Sequence, residues 1–178
     1  MNESELQRNF DYQAGRVKDK AADLVNVKAD LSAIVGQLVD ADQKARPGLI
    51  ARRAELVNLA GLLVDELKEL TSRRDSGELA IYDFAEAREK TELERLASIA
   101  TDARQAMNAA MDAHRRGLGG GRSQTEEDIR KMLELELTVS RARAASEIAN
   151  RDAARQKIMH DNARAAATEA RERLGVKA

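Results

Sequence analysis

The stretch Leu133-Glu134-Leu135-Glu136-Leu137-Thr138-Val139 decides the fold. Its apolar residues alternate with polar ones, as in a half-buried β-strand. The surroundings argue for helix instead. Upstream, Ser123-Gln124-Thr125-Glu126 has the spacing of a capping box, and Glu126, Glu127 and Asp128 suit the positive end of a helix. Ile129, Met132, Leu133 and Leu137 share one helical face, and nearly every residue from Ala142 to Arg173 is a strong helix former. A lone strand would have no partner. The stretch is therefore read as part of a helix from Thr125 to Arg173, and the chain as all-α.

Outward from that helix, three breaks divide the sequence. Arg46-Pro47-Gly48 holds the only proline, which pushes the preceding residue out of helical geometry. Asp75-Ser76-Gly77 reads as a turn cluster, with Asp75 or Ser76 able to cap a following helix. Gly117-Leu118-Gly119-Gly120-Gly121 is the strongest break, because helix formation costs so many glycines too much backbone entropy. Between the breaks, apolar residues recur at helical spacing. Leu24, Val27, Leu31, Ile34, Leu38 and Ala41 mark the first segment, with Val35 and Val39 widening its stripe. Leu56, Ala60, Leu63, Leu67 and Leu70 mark the second. Leu93, Leu96, Ala100, Ala103, Met107, Ala110 and His114 mark the third. Heptads of this kind favour shallow crossing angles, as in bundles and coiled coils.

These readings predict helices over about 15–44, 49–73 and 78–115, forming an antiparallel bundle across residues 1–116. A glycine hinge at 117–124, built on Gly117, Gly119, Gly120 and Gly121, then releases a long helix within 125–178. Leu24, Leu31, Leu38, Leu56, Leu63, Leu96 and Met107 would hold the body together. The last helix would run roughly 70 Å at 1.5 Å per residue. A compact chain of this length has a radius of gyration of only about 16 Å, so that helix either projects or bends. Its second half is rich in alanine and carries few large apolar residues. It reads either as a partner-seeking helix, with Ile148, Ile158, Met159 and Leu174 on the partner face, or as a solvated tail. Leu79, Ile81, Tyr82 and Phe84 form an apolar patch that could anchor the hairpin of the second and third segments or offer a knob to a partner.

Composition narrows the function. The 178 residues include two Phe, two Tyr and no Trp, so a broad aromatic core is not available. There is no cysteine, which excludes disulfides, thiolate metal sites and a cysteine nucleophile. The N-terminus does not read as a secretory signal, and no apolar run reaches the ~18 residues of a membrane span. A formal net charge of −1 leaves no global basic footprint for nucleic acid. From Arg141 onward, however, nine basic residues face five acidic ones. Arg141, Arg143, Arg151, Arg155 and Arg164 are the candidate contacts for phosphate, acidic protein or anionic lipid. Interleaved acids and missing aromatics favour a solvated face or protein contact over nucleic acid.

No catalytic constellation emerges. Gly121-Arg122-Ser123 precedes a helix start but lacks the spacing, the lysine and the preceding strand of a phosphate-binding loop. His114 and His160 have no second ligand at metal-site spacing. The carboxylates are abundant but interspersed with basic neighbours, and no serine sits in a nucleophile elbow. The expectation is a non-enzymatic chain with no cofactor and no metal.

Gly117-Leu118-Gly119-Gly120-Gly121-Arg122-Ser123, followed by Asp128-Ile129-Arg130, Ala149-Asn150-Arg151 and Asp161-Asn162-Ala163-Arg164, carries a resemblance. This region, about a third of the chain, resembles the small internal (ejection) proteins and other helical virion proteins of tailed bacteriophages. In the ejection proteins, Ala- and Arg-rich helices flank a glycine- and serine-containing break. Those proteins often carry a membrane-active apolar segment, and this chain has none. The resemblance implies a structural component of a particle, present in many copies in the virion and engaged by other structural proteins. It transfers no functional residue. Outside that setting the expected location is the cytoplasm. Two readings follow: a structural protein that packs against copies of itself or a larger assembly, and a helical adaptor or chaperone whose last helix orders on a protein target.

Overall fold

The computed structural model of the chain describes residues 2–118 and 125–176. It is all-α, as the sequence implies, with three helices: α1 (Glu3–Asp40), α2 (Arg46–Leu118) and α3 (Glu126–Arg173).

α1 starts well before the expected residue 15. Asn2 is its N-cap: the Glu5 amide donates to Asn2 Oδ1 at 2.9 Å, and the Asn2 amide donates to Glu5 Oε2 at 2.8 Å. This reciprocal box satisfies two otherwise orphaned donors, so the helix begins at the first available cap. At the far end, Asp42 Oδ1 accepts from the Lys44 and Ala45 amides at 3.1 and 2.8 Å. α2 then begins at Arg46, three residues before the expected start. Pro47 is tolerated in that first turn because its missing N–H would have had no intrahelical acceptor.

The break expected at Asp75-Ser76-Gly77 does not form. α2 runs through it, so the second and third segments are one helix of 73 residues. Ser76 Oγ donates to the Ser72 carbonyl at 2.9 Å, which occupies the hydroxyl inside the helix instead of at a cap. Arg74 and Asp75 pair side by side. A single internal glycine costs only about 1 kcal/mol relative to alanine, which the packing of its neighbours offsets. Gly77 lies against α1, where an added Cβ would meet Phe10 Cα at 3.8 Å.

Continuity of α2 changes the expected three-helix body. The described residues group into two compact units whose boundary falls inside α2. The first contains α1, α2 up to Tyr82 and residues Leu174–Val176; the second contains α2 from Asp83 and α3. Each is an antiparallel helical hairpin. In the first, Val27, Ile34, Leu56 and Leu63 form the core, flanked by Leu24, Leu31, Leu38, Leu49 and Ala60. In the second, Leu96 and Met107 are half-buried, and the buried residues of α3 are Ser146, Ala149, Gln156, Ala167 and Ala170. The last helix is thus packed along the second half of α2.

Of the expected hinge, Gly119, Gly120 and Gly121 lie outside the described residues. Gly117 belongs to α2, where an added Cβ would come to 3.0 Å from Leu135 Cδ1. It permits a close approach between helices. Ser123 is likewise outside the described residues. The cap that forms uses Thr125 and Asp128: the Asp128 amide donates to Thr125 Oγ1, while the Thr125 amide and hydroxyl both donate to Asp128 Oδ2.

Candidate interaction surfaces

Both hairpins are built on heptads, with seam positions a and d alternating every three and four residues. In α3 the seam runs unbroken from Met132 to Ala170, and every position on it is buried or half-buried. Its middle is small: Ala142, Ser146, Ala149 and Ala153, then Ala163, Ala167 and Ala170 after two polar positions. Small seam residues let two helix backbones approach closely, so packing replaces the bulky side chains that α3 lacks.

The two polar seam positions carry specific contacts. Gln156 Nε2 donates to Glu89 Oε2 at 2.6 Å and to the Glu89 carbonyl at 3.3 Å. The Glu89 side chain is only 13% exposed. Hydrogen bonds from Arg88 and then Gln156 hold its carboxyl below the ordinary carboxylate range. His160 Nδ1 stands 3.7 Å from Asp161 Oδ1. Near the other end, His114 Nε2 is buried without a hydrogen bond, 3.9 Å from Glu136 Oε1. Polar groups in a seam penalise alternative registers, because a slip leaves them unpaired. The sequence reading found His114 and His160 but missed the Glu89–Gln156 pair; only the pairing of two distant segments creates it.

The flanks of each seam differ. In the second hairpin the e-position flank is ionic. Arg171 Nη2 reaches Asp83 Oδ1 at 2.6 Å and Glu86 Oε2 at 3.5 Å, and Arg104 Nη2 donates to Asn150 Oδ1 at 3.2 Å. The five expected basic contacts, Arg141, Arg143, Arg151, Arg155 and Arg164, are exposed and, among the described residues, form no ion pair. They do not gather in one place. Arg143 and Arg164 share the e flank, whereas Arg141, Arg151 and Arg155 lie on the outer face of α3. That outer side also carries Leu133, Leu137, Ile148 and Ile158 exposed, with Met159 at its edge. Leu174 does not join this face. It occupies the seam register and groups with the first hairpin, where it lines a cleft of about 690 Å³ with Leu24, Val64, Leu67 and Leu79. Of the apolar patch, Leu79, Ile81, Tyr82 and Phe84 are all half-buried.

In the first hairpin the g flank is ionic: Arg16 and Lys20 meet Glu66 at 3.8 and 3.2 Å. The opposite flank, made of e and b positions, is apolar. Val35, Ile50, Val57 and Val64 occupy its inner row, and Val25 and Val39 the next. All six are exposed large hydrophobics. Val35 and Val39 were legible in the sequence as a widened stripe. The residues of α2 that join them were not.

Among the described residues no cluster of three or more His, Cys, Asp or Glu side chains could hold a metal ion, and no helix is long and apolar enough to cross a membrane. No protein family, characterised protein or solved structure matches this chain.

Proposed function

We propose that this chain is a non-enzymatic assembly protein whose long helical surfaces pack against copies of itself or against other components of a larger particle, such as the virion of a tailed phage. One observation carries this reading. Each hairpin has a thin core, with no large side chain fully buried among the described residues, yet leaves rows of Val, Ile and Leu in water. Monomeric soluble proteins rarely leave such rows exposed without a partner. The close-packed α3 seam supports a preformed rod-like element rather than a tail that folds only on its target.

Light scattering coupled to size-exclusion chromatography tests this reading on the full chain, at low and moderate salt. A defined oligomer that survives moderate salt is the expected result. A monomer at every concentration would remove self-assembly from the reading. Loss of association on modest addition of salt would point to the arginines of α3 and a polyanionic partner instead.

A further inference from the structure

We infer that the apolar flank of the first hairpin is the site where a second copy of this chain docks, flank to flank about a two-fold axis, to make a four-helix bundle from two hairpins. The inference deepens the assembly reading and rests on it.

The surface exists only because α1 and α2 pair in this register. Val25, Val35 and Val39 from α1 and Ile50, Val57 and Val64 from α2 lie on one side of the seam, between 36% and 74% exposed. Ala54 and Gly61 lie among them on α2, and a Cβ added at Gly61 would meet nothing within 4 Å. Over this stretch the flank holds only Lys28 and, at its far end, Lys68 as charged residues, and no acid. The opposite flank carries Asp23, Asp30, Arg52, Glu55 and Glu66 over the same length, with Leu59 and Leu62 exposed between them. A hairpin left to itself in water gains nothing from so one-sided a distribution of charge. A hairpin with one flank buried does.

Three features favour a second copy as the occupant. The first is area. The six side chains expose roughly 500 Å² of apolar surface, on the scale of the largest patch a monomer carries. Two such flanks face to face, with the small residues and lysine stems between them, reach about 1,200 Å², the lower bound for a stable interface. The second is charge. α1 ends in Asp40 with no basic residue in its last turn, and Asp42 follows in the connection, so the helix itself supplies no cation at its negative end. With a rise of 1.5 Å per residue, a two-fold axis near Val57 sets Lys68 of one copy level with the Asp40–Asp42 turn of the other. Lys68, which pairs with Asp65 in its own copy, then adds its charge to that of Lys44 and Arg46 beside the turn. The third is precedent within the hairpin itself. The same flank continues into the cleft lined by Leu24, Val64 and Leu67, and Leu174 and Val176 from the end of this chain already lie there. Both lie in the turn that follows α3, and apolar side chains are what this end of the flank accepts.

The test uses the full chain. Val35→Glu and Val57→Glu change exposed positions, and circular dichroism confirms that helix content is retained. Light scattering should show a dimer or an even-numbered oligomer for the natural chain. The double variant should raise the dissociation constant about 100-fold or more, because it places four carboxylates near the axis. Ser98→Glu, at an exposed position in the second half of α2, should leave association unchanged. The chain has no cysteine, so Val57→Cys is a single-site reporter. Under mild oxidation it should form a covalent dimer, while Leu137→Cys should not. An oligomer that survives the double variant, or that forms without crosslinking at Val57→Cys, overturns this docking site and leaves the assembly reading standing. A natural chain that is monomeric up to millimolar concentration overturns this docking site and removes self-assembly from the reading.

Discussion

Gln156 is the residue on which the register of the second hairpin turns. It is buried, and both of its hydrogen bonds end on Glu89, 67 positions away in sequence. Gln156→Ala should destabilise the chain by about 1–3 kcal/mol, since it leaves a nearly buried carboxylate short of a donor. Urea denaturation of the full chain measures this, and a loss below ~0.5 kcal/mol would show that water replaces the amide. Asp128 makes a different prediction. The Thr125 hydroxyl and amide hold its carboxyl below the ordinary value for aspartate. A lowered folded-state pKa means that the cap stabilises the folded chain above the ordinary aspartate range. That contribution fades as pH falls through the lowered folded value. An NMR titration should therefore find Asp128 more acidic than a model aspartate, and Thr125→Val should move it back up. Neither contact was apparent in the sequence reading, which placed the cap two residues early, on Ser123. Thr125 and Asp128 stand at the same three-residue spacing, so spacing alone could not choose between them.

At the scale of elements, the main departure from expectation is the 73-residue α2. Local signals at Asp75-Ser76-Gly77 favour a turn by about a kilocalorie, and the half-buried environment from Gly77 to Tyr82 outweighs them. Gly77 then carries an avoidable helix penalty. Gly77→Ala should stabilise the chain by about 0.5–1 kcal/mol, because its new Cβ meets Phe10 at ordinary van der Waals distance. A rise in thermal midpoint checks this, whereas a fall would mean that α1 cannot accommodate the methyl. The α3 seam predicts the opposite response to added volume. Ala167 is 0% exposed, so Ala167→Leu should overpack the seam and cost about 1–3 kcal/mol. Were that alanine on a loosely solvated helix, leucine would be neutral. The measurement therefore separates a packed α3 from the solvated tail that composition alone allowed.

For the whole molecule, stability rests on two slender cores instead of one thick one. Leu63 is among the few large residues withdrawn from water, and Leu63→Ala should cost about 2–4 kcal/mol, a large fraction of the total for a domain this size. Chemical denaturation should show a marked fall in midpoint, and a change below ~1 kcal/mol would mean that another element carries the first hairpin. The sequence by itself determined that the chain is helical and which face of each segment is apolar. Helix propensity and heptad spacing are local properties, written in residues three and four apart. Leu24, Leu31, Leu38, Leu56 and Leu63 were legible as core for that reason. Which face meets which is a long-range matter. Only the tertiary structure decided that the second and third segments fuse and that the alanine face of α3 closes on α2. The same pairing left Val25, Val35, Val39, Ile50, Val57 and Val64 side by side in water. Burial depends on the partner a helix finds, and a single segment does not encode that partner.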